Sequence, residues 1–152
     1  MHSHLAPIHS LVQRENSRSP GCPGFESCSD ATEWLTRVSH EETAGAAITR
    51  CVVRTGYSAI GVVRLAGLDL PFLPPISYWI GAPFRRRGYG TAAVRLFLQQ
   101  VEHPGRICAF AAEGNLGSRT ILVNTGFSRS GVARHDANGA ILRYDFGVHT
   151  GV

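Results

Sequence analysis

Residues 85–90 read Arg-Arg-Arg-Gly-Tyr-Gly and lie between two apolar runs of different kinds. The run before them, Ile-Ser-Tyr-Trp-Ile at 76–80, has the composition of a β-strand. The run after them repeats apolar residues at helical spacing, through Val94, Phe97, Leu98 and Val101. A strand, a glycine-rich turn and a helix in this order predict an α/β fold in which the helix begins at the turn.

The glycine turn has the chemistry of an anion site. A helix N-terminus leaves backbone N–H groups without partners and carries a partial positive charge. Gly88 and Gly90 have no Cβ and let the backbone approach a ligand, and arginine offers paired donors that suit phosphate. A pyrophosphate is the predicted occupant, and a solvated basic loop is the alternative. The predicted phosphate-binding residues are Arg85, Arg86, Arg87, Gly88, Tyr89, Gly90 and Thr91.

Periodicity and turn residues divide the rest of the chain into short elements. Helices are predicted at 30–39 and 116–125, and further strands at 46–54, 59–65, 106–111, 129–135 and 140–147. Hairpin signals at both ends of the series predict a mixed, α+β type of sheet. Residues 1–25 are rich in Ser, Pro, Gly and His and are predicted to be irregular, which leaves 26–152 as one domain.

Composition limits the class of function. The chain has 152 residues, 43% of them hydrophobic, and a net charge of +4 that comes from arginine without lysine. The positive charge fits an anionic ligand. No membrane-length apolar run and no secretory signal is present, so a cytoplasmic protein without membrane attachment is expected. The cysteines form no C-x-x-C pair and the histidines no cluster, so no metal site is predicted.

The region from about residue 30 to 147 resembles the GNAT superfamily of N-acetyltransferases. Residues 85–92 match its R/Q-x-x-G-x-G/A motif, and Asn115-x-x-Ser118 and Gly126-Phe127 follow at its spacing. The run at 77–81 resembles the ribosomal-protein alanine acetyltransferase branch. The resemblance implies a GNAT-like acyl-CoA N-acyltransferase fold with splayed central parallel strands.

The resemblance also implies a co-substrate and where it binds. Acetyl-CoA would enter the gap between the strands that end near Ile80 and Ala112. Its pyrophosphate would rest on the amides of residues 86–91, and its pantetheine would pair with the backbone of Trp79 and Ile80. Asn115 would bind the pantetheine arm near the thioester. A primary amine would then attack the thioester directly.

This reaction needs a base and an acid. The attacking amine must be neutral, and the coenzyme A thiolate must be protonated as it leaves. The resemblance gives the acid role to Ser118, and capping of the short helix is the alternative. Glu113 and Asp69 are candidate bases, each also explained as a surface carboxylate. Tyr78 is a candidate catalytic or pocket-wall residue.

The sequence departs from the family at three places. Leu122 occupies the position of a tyrosine acid, and Pro75 that of a glutamate base. The segment ahead of the first predicted helix is short and loop-like, so the part that usually helps to form the acceptor site is expected to be reduced. A catalytically weak acetyl-CoA sensor is therefore an alternative function.

Two further alternatives rest on the same turn. Gly88-x-Gly90-x-x-Ala93, with Glu113 downstream, formally fits a dinucleotide-binding fingerprint, but too few residues follow for a doubly wound domain. A nucleic-acid binder lacks a stacking surface or a recognition-helix motif, so no nucleic acid is expected. The acceptor, a peptide N-terminus or a small amino compound, stays open, as does a homodimer.

Overall fold

The computed structural model describes residues 28–54, 56, 59–137 and 139–147. In chain order they form α1 (Cys28–Thr43), β1 (Ile48–Val52), β2 (Gly61–Leu65), β3 (Ile76–Ile80), a short 3-10 helix (Ala82–Phe84), α2 (Tyr89–Gln100), β4 (Ile107–Ala112), α3 (Leu116–Asn124), β5 (Ser128–Asp136) and β6 (Gly139–Phe146). This order of helices and strands confirms the predicted one. The segment 1–25, predicted to be irregular, lies outside the described residues.

The strands form two three-stranded antiparallel sheets that meet at one parallel contact. The strand orders are β1-β2-β3 and β4-β6-β5. Within the described ranges, β3 and β4 are joined by a single parallel bridge, between Pro75 and Cys108. Because this bridge lies at the N-terminal ends of both strands, their C-terminal ends at Ile80 and Ala112 are left unpaired with each other. The predicted splay of the central parallel strands is therefore present.

Helices cover both faces of the first sheet. On one face, α2 and α3 enclose the main core with the second sheet, through residues such as Val94, Phe97, Leu122 and Leu142. On the other face, Val38 of α1 packs against Val62 and Trp79. None of the helices in the described part of the chain is long and apolar enough to cross a membrane.

One face of β4 is partly exposed. The sequence of the strand is apolar throughout, which is typical of burial on both faces, but Phe110 is 48% exposed. Ile107, Ala109 and Ala111 face the main core, and Phe110 alternates to the opposite side. That side of the second sheet has no helix over it among the described residues, because α2 and α3 both pack on the core face.

Gly61 marks the closest approach of β2 to β3. A Cβ at this position would overlap the carbonyl oxygen of Trp79, which is main chain and cannot rotate away. Gly61→Ala is expected to lower the free energy of unfolding by about 3 kcal/mol. Gly131→Ala is the control, because an added Cβ there meets no atom of the described residues within 4 Å. Urea denaturation measures both variants, and equal stability would contradict the close approach.

Candidate active site

The backbone of the glycine turn is shaped by left-handed residues. Arg86 has a φ of 60°, and Gly88, the N-cap of α2, has a φ of 82°. A Cβ at Gly88 would meet no atom of the described residues within 4 Å, so space is open over this residue within the described part of the chain. No described side chain caps α2, and its first turn contains no acidic residue. Its first N–H groups and its positive dipole end are therefore suited to an external anion.

The two glycines of the turn have different roles. Gly90 is buried, and a Cβ there would lie 2.6 Å from the Ile121 side chain of α3. Gly90 therefore lets α2 pack closely on α3. Both glycines were expected to let the backbone approach a ligand. The side of Gly90 where a Cβ would lie is filled by α3, so only at Gly88 does the missing side chain leave open space over the turn.

The arginines of the turn also differ from one another. Arg85 donates from Nε to the carbonyl oxygen of Ile80 at 2.7 Å, which fastens the turn to the end of β3. Arg86 and Arg87 are exposed on the turn itself. All three arginines of the turn are exposed, and Arg85 in addition holds the backbone at the end of β3.

Arg54 is a basic residue of this site that the sequence motif did not indicate. It follows β1, and its guanidinium carbon lies 5.5 Å from the centre of the Tyr89 ring at the start of α2. The hairpin end and the turn meet over a shared apolar cluster, formed by Ile60, Ile80 and Phe84 with Val52 and Tyr89 packed against it. Only the tertiary packing of the hairpin identifies Arg54, because the motif lies more than thirty residues downstream.

The backbone of β3 divides its hydrogen-bonding groups between β2 and the gap. Gly81 donates to Ile60 at 2.7 Å, so in this antiparallel ladder Trp79 also pairs with β2. Tyr78 and Ile80 alternate with it and face the gap. The Trp79 side chain is 2% exposed and packs under α1. This register corrects the assignment of Trp79 to the pantetheine. A pantetheine arm that lies along the gap-facing edge of β3 would meet the backbone groups of Tyr78 and Ile80, because those of Trp79 pair with β2.

Tyr78 reaches from β3 to the start of α3. Its hydroxyl oxygen lies 2.8 Å from Ser118 Oγ and 3.1 Å from the Ser118 carbonyl oxygen. The Ser118 carbonyl oxygen can only accept a hydrogen bond. When the Tyr78 hydroxyl donates to that carbonyl, the bond between the two hydroxyls is donated by Ser118; when Tyr78 donates to Ser118 Oγ instead, the Ser118 proton is directed elsewhere. The N-cap of α3 is Asn115, whose Oδ1 accepts from the Ser118 N–H at 3.1 Å. The capping alternative for Ser118 is therefore replaced by a side-chain bond to Tyr78.

Tyr78 is held in its protonated form. Burial raises the pKa of Tyr78 to about 12, although the hydrogen bond with Ser118 acts in the opposite direction and lowers it. Tyr144 adds a smaller effect that also raises this pKa. At neutral pH the phenol is therefore a hydrogen-bond donor, and it does not serve as a base.

The two candidate bases lie in different places. Glu113 directly follows β4, with its N–H donating to Ala140 at 2.9 Å and its carbonyl accepting from Arg119 at 2.8 Å. This fixes the main chain of Glu113 while its side chain is exposed. Asp69 lies in the loop after β2, beyond the contact that joins Ala66 to Pro75 at the start of β3. The structure thus keeps Glu113 beside Asn115 and separates Asp69 from the glycine turn.

The positions that depart from the family have structural roles. Leu122 is 0% exposed and lies in the main core, so the residue at the tyrosine position contributes packing. Pro75 forms the bridge to Cys108 that joins the two sheets. Neither residue offers a group that can exchange a proton, whereas Ser118 and Tyr78 each place a hydroxyl beside the gap.

A family model described as an acetyltransferase (GNAT) domain matches residues 1–128. The match includes the glycine turn and the three side chains that meet at the start of α3, namely Tyr78, Asn115 and Ser118. A search of curated proteins gives no match.

Solved structures share the fold at low identity. The microcin self-immunity acetyltransferase MccE, in complex with acetyl-CoA and AMP, aligns with a TM-score of 0.80 at 18% identity over 97% of this chain and 89% of that one. A ribosomal-protein alanine acetyltransferase from Vibrio fischeri aligns with a TM-score of 0.72 at 18% identity, over 99% of this chain and 90% of that one. A variant of spermidine N-acetyltransferase SpeG from Vibrio cholerae aligns with a TM-score of 0.72 at 16% identity, over 96% of this chain and 90% of that one. The predicted fold, with its splayed parallel strands, is confirmed.

Proposed function

Because this chain belongs to the GNAT superfamily and is therefore an acyltransferase, we propose that it moves an acetyl group from acetyl-CoA to a primary amine. The observation that carries the proposal is the arrangement around the splayed strands. The uncapped start of α2 lies at the C-terminal end of β3, and the Tyr78–Ser118 pair lies beside the gap between β3 and β4. One site therefore offers an anion cradle and a proton donor.

The donor half of the site rests on backbone groups. The pyrophosphate would accept from the amides of residues 86–91, with Arg86 and Arg87 adding charge. The pantetheine would lie along the gap-facing edge of β3 at Tyr78 and Ile80. Asn115 uses Oδ1 to cap α3, which leaves its Nδ2 group to donate to the arm. MccE, which shares this fold, is bound to acetyl-CoA.

The chemistry follows from the groups beside the gap. The amine nitrogen attacks the thioester carbon, and a backbone N–H of β3 stabilises the charge on the oxygen. Glu113, directly or through water, takes the proton that the amine loses. As the carbon–sulfur bond breaks, the Ser118 hydroxyl, now accepting from Tyr78, donates its proton to the coenzyme A thiolate and regains a proton from water. Tyr78, protonated and bound to Ser118, positions that hydroxyl.

The acceptor is assigned to a class. MccE, the Vibrio fischeri alanine acetyltransferase and SpeG share one fold and differ in the substrates that their names give. The strand at 77–81 resembles the alanine acetyltransferase branch, so we assign the α-amino group of a peptide or a small amino compound. The cytoplasmic location and the homodimer stay predictions.

Thermal denaturation tests the donor assignment. Saturating acetyl-CoA, at about 100 times its Kd, is expected to stabilise the fold by about 2.7 kcal/mol and raise the Tm by about 5–10 °C. NADH at the same concentration is expected to leave the Tm unchanged. A shift with NADH and none with acetyl-CoA would contradict the proposal.

Thiol release separates the enzyme from the sensor alternative. The protein is mixed with acetyl-CoA and a panel of peptides and small amines, and free coenzyme A is measured. Amine-dependent release is expected for at least one α-amino compound. Binding of acetyl-CoA without release above the hydrolysis rate, across the panel, would favour the sensor.

A further inference from the structure

The turn that joins β4 to α3 contains a glycine next to the proposed base. Gly114 separates Glu113, the last residue before the turn, from Asn115, the N-cap of α3. Glycine restricts the backbone less than any other residue, and an added Cβ at Gly114 would meet no atom of the described residues within 4 Å. Contacts from other parts of the fold must therefore set the direction in which the Glu113 side chain leaves the backbone.

Arg119 supplies such a contact from the first turn of α3. Its Nη1 donates to the Glu113 carbonyl oxygen at 2.8 Å, and its Nε donates to the Tyr144 hydroxyl oxygen at 3.2 Å. Tyr144 lies on β6, is 2% exposed and belongs to the main core. The planar fork of one guanidinium thus serves two acceptors at once, and it ties the turn to a side chain that the core holds in place.

The peptide groups on both sides of Glu113 are hydrogen-bonded. Its N–H donates to the Ala140 carbonyl oxygen on β6 at 2.9 Å, and its own carbonyl oxygen accepts from Arg119. Because each peptide group is planar, two fixed peptide planes also fix the Cα–Cβ direction of the residue between them. The exposed Glu113 side chain therefore leaves the end of β4 in a constant direction, beside the gap.

Resting on the proposed function, in which Glu113 takes the proton of the amine, we propose that Arg119 is a positioning residue for this base. Arg119 acts through the backbone of Glu113 and exchanges no proton itself, because a guanidinium stays protonated in proteins. A base works only within hydrogen-bond reach of the proton that it takes, and a misplacement of about 1 Å can cost much of a rate. Loss of Arg119 should therefore slow acetyl transfer without weakening the binding of acetyl-CoA.

The test compares two arginines that each donate to a main-chain carbonyl near one end of α3. Arg119→Gln removes the bond at the turn, and Arg95→Gln removes the bond from α2 to the Asn124 carbonyl, at 3.0 Å, at the other end of α3. Thiol release with the fastest amine of the panel measures kcat, and calorimetry measures the Kd of acetyl-CoA. Arg119→Gln is expected to lower kcat about tenfold and to keep the Kd within about twofold. Arg95→Gln is expected to lower the Tm by a similar amount and to keep the wild-type kcat.

A double-mutant cycle identifies the group through which Arg119 acts. Glu113→Gln removes the carboxylate and is expected to lower kcat about 10²-fold. In that background Arg119→Gln is expected to have no further effect on kcat, because no base is left to position. Tyr144→Phe removes the acceptor in the core and keeps the ring, so it is expected to lower kcat about threefold in the wild type and to have no effect in Glu113→Gln.

The outcomes separate the inference from the proposed function. A wild-type kcat in Arg119→Gln or in Glu113→Gln would overturn the positioning role, and so would an equal loss of kcat in Arg95→Gln. A tenfold loss from Arg119→Gln that persists in the Glu113→Gln background would also overturn it, because the guanidinium would then act through another group. In all of these cases the wild type still transfers acetyl groups. A wild type that acetylates no amine of the panel would refute the proposed function and the inference with it.

Discussion

Ser118→Ala is expected to lower kcat for acetyl transfer by about 10²-fold and to leave the Kd of acetyl-CoA within about threefold. A positioned general acid contributes about 10²–10⁴-fold to a rate. The Ser118 hydroxyl has its side-chain partner in Tyr78, and the N-cap position of α3 belongs to Asn115. Removing the hydroxyl therefore removes a proton donor and keeps the cap.

Tyr78→Phe is expected to have a smaller effect of the same kind, about tenfold in kcat, because it removes a hydrogen bond to the acid and keeps the acid. The pKa of about 12 means that Tyr78 does not titrate in the ordinary assay range. The pH–rate profile of the wild type should therefore show no inflection from this group below about pH 11. An alkaline loss of activity near pH 10 that Tyr78→Phe abolishes would contradict this assignment.

The leaving group distinguishes acid catalysis from a structural effect. Two truncated acetyl donors without the nucleotide are compared, an alkyl thioester of ordinary thiol pKa and an aryl thioester whose thiolate is stable at neutral pH. The loss of acetyl-transfer rate in Ser118→Ala, relative to the wild type, is expected to persist with the alkyl donor. With the aryl donor, the rates of the variant and the wild type are expected to become nearly equal. Ser130→Ala is the matched control, because Ser130 is an exposed serine on β5 whose hydroxyl donates to the Arg143 carbonyl at 3.3 Å, away from the gap. An equal deficit with both donors would contradict the acid role of Ser118.

Local signals in the sequence were sufficient for most elements of the fold. β3 occupies the predicted residues 76–80, because its apolar run is bounded by prolines and a glycine. α1 runs to Thr43, beyond the predicted end at residue 39, because the first residue that favours a left-handed helix end is Gly45, with a φ of 75°. Helix and strand boundaries follow such local stop residues.

Contacts between distant parts of the chain could not be predicted in the same way. The Tyr78–Ser118 bond joins residues that are 40 positions apart, across a gap whose width depends on where the sheets are bridged. The placement of Arg54 over Tyr89 depends on hairpin packing. The family resemblance implies that both Trp79 and Ile80 pair with the pantetheine, and the sequence of a five-residue strand does not reveal which of its alternating backbone groups face which neighbour.

Gly88→Glu is expected to abolish the rise in Tm that acetyl-CoA causes. Gly88 has a φ of 82°, and the space over its Cα is open. A glutamate there would place its side chain and its negative charge in the space proposed for the pyrophosphate, at the positive end of the α2 dipole. It would also cost about 1 kcal/mol of stability from the left-handed backbone, which lowers the Tm without ligand.

Gly105→Glu separates the loss of binding from that backbone cost. Gly105 has a φ of 80°, and an added Cβ there also meets no atom of the described residues within 4 Å, but it lies in the turn before β4, away from the start of α2. Both variants carry the same added charge and a similar strain, so their Tm values without ligand should be similar. Gly105→Glu is expected to keep the full acetyl-CoA shift. If Gly88→Glu keeps it as well, the phosphates of the donor bind elsewhere, and the glycine turn is an exposed basic loop ahead of an ordinary helix.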